Sequence, residues 1–165
     1  AVPLKTERHL TEKLYKNMEK NTVIRSLRIN YFVSFVAALL VLLAFELDFV
    51  EKGALAQVMS STAMYIVQVV AVMITVIFIP WAIKGFTKSM EKSKGMPENG
   101  ILDVFCKKSL LRIFLLFVVV LVNLFVYYGL GYDSALYCGL LGFGSMIYSF
   151  PTKMVLEQYI EGKEN

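Results

Sequence analysis

The chain has 165 residues, 57% of them hydrophobic and 18% charged, with a mean hydropathy of +0.61 and a formal net charge of +4. That balance excludes an ordinary soluble domain and a disordered chain, and it fits one polytopic membrane domain. Cys106 and Cys138 lie in different regions and the one histidine, His9, stands far from both, which argues against a disulfide or a metal site.

Residues 1–27 are polar and mixed in charge. Leu10, Leu14 and Met18 recur every four residues among Arg8, Lys13, Lys16 and Lys20. A narrow apolar stripe with a basic surround reads as an amphipathic helix at headgroup level, or as a solvated polar segment.

Four spans follow, at about 28–47, 57–83, 110–130 and 134–152. The first is short, with 17 uncharged residues between Arg28 and Glu46. The second lies within an uncharged run of 31 residues, longer than a bilayer needs, so it tilts or starts late. Pro80 and Trp81 mark its inner end, where Trp favours the interface and Pro bends a last turn.

The third span is the plainest. Ile113 to Tyr132 holds 20 residues without a charge. As a helix it runs about 30 Å, the hydrocarbon thickness of a bilayer. It is bulky nearly all round, so it is expected to face lipid. The fourth span starts with Asp133 or Ser134 as N-cap and ends near Pro151. Residues 157–165 form a polar tail.

Charge sets the expected orientation. Sixteen of the seventeen Lys and Arg residues fall before the first span, in connector 84–109 with Arg112, or in the tail. The positive-inside rule then places both termini and the connector in the cytoplasm of a bacterial inner membrane. Glu46, Asp48, Glu51 and Asp133 gather on the outer face as turn carboxylates. The expected fold is an all-α four-helix bundle, residues 28–156, built of two hairpins.

The hairpins echo each other. One opens Ser26-Leu27-Arg28-Ile29 and the other Ser109-Leu110-Leu111-Arg112-Ile113, and their return helices end at Pro80 and Pro151. A parallel duplication is one reading. The shared needs of any membrane hairpin are the other.

Helices in lipid associate through close packing and interhelical hydrogen bonds. Ser134, Cys138, Gly142, Ser145 and Ser149 form one small-residue face of the fourth span, expected to meet protein. Gln68, Thr75 and Asn123 are intramembrane polar groups that need partners, because an unsatisfied amide in hydrocarbon is costly. No ionisable group lies deep in a span, which argues against a proton relay.

The expected function is a non-enzymatic accessory, assembly or oligomeric component of a membrane complex, with no cofactor. A small oligomeric transporter or channel using Gln68 and Asn123 is the alternative, and a membrane enzyme using outer carboxylates the third reading. Expected partners are membrane lipid and either a second copy or another membrane protein. Nucleic acid is not among them, since the basic connector suits anionic headgroups.

Overall fold

A computed structural model describes residues 3–47 and 52–162, with side chains from residue 14 onward, residue 16 excepted. It contains five helices and, among the described residues, no strand: α1 (Pro3–Glu46), α2 (Ser61–Ser93), α3 (Glu98–Leu130), α4 (Asp133–Tyr148) and α5 (Lys153–Glu161). Three stretches are long and apolar enough to cross a membrane: Asn17–Glu46, Ser61–Ser93 and Glu98–Leu130. α4 has 16 residues, about 24 Å of helix.

α1 is one unbroken helix where a polar segment and a separate span were expected. The sequence explains the continuity. No Gly or Pro stands between Leu4 and Lys52, so nothing interrupts the ladder. α2 starts at Ser61, later than position 57, because the Ser60 side chain caps it by accepting from the Ala63 N–H at 3.3 Å. At its other end α2 runs through Pro80 to Ser93, beyond the expected end of the span at 83. Pro80 only leaves the Val76 carbonyl without its usual donor.

α3 is the central helix. α1, α2 and α4 all pack on it, while α1 makes little contact with α2 among the described residues. α1 runs parallel to α3, since Lys20 pairs with Glu98 and Phe45 stacks on Tyr128. α2 and α4 run antiparallel to it: Phe86 meets Phe105, and Gly142 meets Val120. The expectation that the third span faces lipid is therefore corrected. Half of its most apolar window is buried, against 17% for α1 and for α2. Bulk on one helix does not imply a lipid face when its neighbour offers glycines to receive it.

The connector is also less of a loop than its charge implied. Helix continues on both sides of a short turn at 94–97. Ile101, Leu102 and Phe105 of α3 join Phe86 and Met90 of α2 in a core completed by Ile24, Leu27 and Leu156. The tail contributes α5, whose Val155, Leu156, Tyr159 and Ile160 share one face against that core.

Candidate functional site

Polar groups inside the bundle are joined across helices. The Asn123 amide Nδ2 donates to Thr75 Oγ1 at 2.7 Å and to the Val119 carbonyl at 2.8 Å. Thr75 in turn donates to the Ala71 carbonyl at 3.0 Å. Gln68 Nε2 donates to Ser134 Oγ at 2.8 Å. Asn123 is fully buried and its Oδ1 has no partner. These contacts fasten α2 to α3 and to α4.

The small-residue face of α4 is distributed around its helix. Gly142 lies against Val119 and Val120, and Ser149 is fully buried. Ser134 serves Gln68, while Cys138 and Ser145 are half-buried. The residues buried along α4 are Ala135, Gly139, Gly142 and Met146, a stripe that shares Gly142 with the expected one and otherwise lies one position on. Tyr132 is the N-cap, without a side-chain cap bond, and Asp133 is the first helical residue. A carboxylate there still complements the helix dipole.

At the end where α3 meets α4, the Tyr128 hydroxyl donates to Glu46 Oε1, with Lys52 Nζ 3.8 Å from the same oxygen. Gly53, at φ 79°, sends its N–H to the Tyr128 carbonyl at 2.8 Å. Asp133 is exposed, and no hydrogen bond or ion pair links it to Glu46. Asp48 and Glu51 lie outside the described residues, as does the His9 side chain.

The opposite, basic end holds groups that spacing alone did not bring together. Arg112 is 9% exposed. Its Nη2 donates to the Ser149 carbonyl at 2.8 Å, and its guanidinium lies 4.1 Å over the Phe86 ring. Arg28 reaches the Pro151 carbonyl, two residues further on, at 3.4 Å, and lies over Phe150. Two arginines from parallel helices thus hold the end of α4 and the turn beyond it, where a cation complements the negative end of the helix dipole. The matched openings Ser26-Leu27-Arg28-Ile29 and Ser109-Leu110-Leu111-Arg112-Ile113 were the one sequence signal for this. The match does not extend to the pairing of helices, since both arginines hydrogen-bond carbonyls at 149–151, where α4 ends, and Arg28 bonds none on α2.

Beside Arg112, a groove of about 200 Å³ opens between α2 and α3, with Trp81, Lys88 and Lys92 on one wall and Lys108, Leu111 and Arg112 on the other. On the far side of Arg112, a cavity of about 420 Å³ is lined by Tyr148, Thr152, Gln158 and Tyr159. Cys106, close by on α3, is a free and half-buried thiol. Burial first, and Asp103 second, push its pKa up, with Lys107 opposing them, which favours the protonated thiol.

Together these features define a helical protein with three helices suited to a membrane, cross-braced by the Asn123 and Gln68 amides and held by arginines where α4 ends. No protein family, curated protein or solved structure matches this chain.

Proposed function

We propose that the chain crosses a bacterial inner membrane four times, with both termini and the 94–97 turn in the cytoplasm, and serves as a non-enzymatic accessory or assembly component of a membrane complex. The charge distribution supports the orientation. α4 is short for a crossing and makes the fourth passage with the help of its flanking residues and local bilayer thinning. One observation carries the accessory reading. Leu14, Tyr15 and Met18 are 62%, 73% and 68% exposed on the charged half of α1. Leu14 stands 14 residues before Arg28, about 21 Å along the helix and beyond the reach of acyl chains. An apolar face in that position is suited to another protein.

The transporter reading draws on the Asn123 Oδ1, the polar atom left over in mid-bundle. Against it, the other amide and hydroxyl groups of the seam are engaged with one another.

The test is native mass spectrometry of the full chain extracted in mild detergent. A stoichiometric second protein that is lost on Leu14→Glu/Met18→Glu supports the accessory reading. A symmetric homo-oligomer that carries solute across liposomes, and stops doing so on Asn123→Leu while still assembling, replaces it with the transporter.

A further inference from the structure

The groove between α2 and α3 is graded along its length. On α2, Trp81, Gly85, Lys88 and Lys92 follow one another at helical spacing. On antiparallel α3, Leu115 and Leu111 lie opposite the apolar half and Lys108 opposite the basic half. The gradation falls where the long uncharged runs of both helices end, Gly53–Ile83 on one side and Ile113–Tyr132 on the other.

The basic half is electrically unbalanced. Among the described residues no carboxylate pairs with Lys88, Lys92, Lys108 or Arg112. Arg112 is more than nine-tenths buried, and its Nε has no acceptor. A buried guanidinium without a counter-charge is strongly unfavourable, and its one hydrogen bond, to the Ser149 carbonyl, does not neutralise it. A phosphate in the groove would supply the counter-charge that the described residues do not.

We propose that the groove binds one anionic phospholipid, its phosphate among Lys88, Lys92, Lys108 and Arg112 and an acyl chain along Trp81, Leu111 and Leu115. The chemistry is that of a phosphodiester: a monoanion with acceptor oxygens for ammonium and guanidinium donors, attached to a hydrocarbon tail that lies where the groove turns apolar. The proposal rests on the membrane reading but is independent of the accessory role.

The test titrates the full chain in mild detergent with phosphatidylglycerol, phosphatidylcholine and inorganic phosphate, and reads bound species by native mass spectrometry. Phosphatidylglycerol is expected to bind at one site and more tightly than phosphatidylcholine. Lys88→Gln/Lys92→Gln is expected to weaken it about 30-fold, at roughly fivefold per cation near a lipid surface. Lys107→Gln/Lys153→Gln removes the same charge elsewhere and is expected to leave binding nearly unchanged. Gly85→Trp fills the groove without altering charge. A Cβ there meets nothing within 4 Å, so the thermal midpoint should hold while lipid is lost.

Equal weakening by both double variants would mean diffuse attraction and would overturn the site. So would retention of phosphatidylglycerol by Gly85→Trp, or inorganic phosphate competing with equal affinity. Release of the protein from membranes by alkaline wash without detergent sinks the membrane reading separately.

Discussion

Gly142 and Gly144 provide a matched test of how α4 seats on α3. A Cβ added at Gly142 lies 2.9 Å from Val120 Cγ2 and 3.4 Å from Val119 Cγ1, and both valines are fully buried. Valine is stiff about χ1, so neither methyl can swing away cheaply. Overpacking of this kind costs about 1–3 kcal/mol. At Gly144 the same Cβ meets nothing within 4 Å. Replacing Gly by Ala inside a helix gains roughly 0.5–1 kcal/mol at either position. The propensity gain cancels between the two variants, so their difference reads the packing contact alone. Gly144→Ala should stabilise, Gly142→Ala should destabilise, and the two should differ by about 1–3 kcal/mol. Unfolding free energy in mixed micelles, followed through the lone Trp81, provides the measurement. Val120→Ala should remove most of the Gly142→Ala penalty, because it deletes the methyl that clashes. A difference below about 0.5 kcal/mol, the additivity error for independent sites, would refute the close approach of α4 to Val119 and Val120.

Other perturbations follow from the hydrogen bonds and the thiol. Thr75→Val keeps the volume but removes the acceptor for Asn123 Nδ2, and should cost about 0.6–1.7 kcal/mol by the same unfolding assay. Tyr128→Phe should lower stability by about 1 kcal/mol, because Glu46 loses its donor, and Glu46→Gln in that background should add little further loss. Cys106 should react slowly with maleimide at neutral pH and faster as pH rises past the ordinary thiol range. Asp103→Asn should shift that profile to lower pH, since Asp103 is one of the groups holding the thiol up. Cysteines placed at 95 and at 131 should label from opposite sides of the membrane, and labelling from one side would contradict the proposed crossings.

Long uncharged runs made the helices legible, because lipid imposes its thickness on residue count. Partnership was harder to read. Phe86, Met90, Leu102 and Phe105 stand at helical spacing, yet the surrounding lysines made the stretch look like a loop. A charge count cannot see a small core that covers itself among charged residues. Hydropathy likewise treats every face of α3 alike. Whether Val119 and Val120 meet lipid or Gly142 depends on a neighbour distant in sequence. Gln68, Thr75 and Asn123 could be singled out in advance, because a buried amide must bond somewhere. That Ser134 would answer Gln68 was decided by the register of α4 against α2.

Arginines at a span boundary carry two demands at once. As charges they resist crossing and so orient the helix. As planar donors they can close an exposed helix end, as Arg112 does at Ser149, or hold the turn beyond it, as Arg28 does at Pro151. Lysine satisfies the first demand as well as arginine and the second poorly, because its ammonium lacks the flat fork that lies over Phe86 and Phe150 while bonding a carbonyl. Arg28→Lys/Arg112→Lys should therefore keep the orientation of every span while loosening the turn between α4 and α5. Native-state hydrogen exchange would show faster opening at 149–152, with amides at 118–124 unchanged. If exchange at that turn did not respond, the arginines would be orientation signals only, and their contacts with the end of α4 would be incidental.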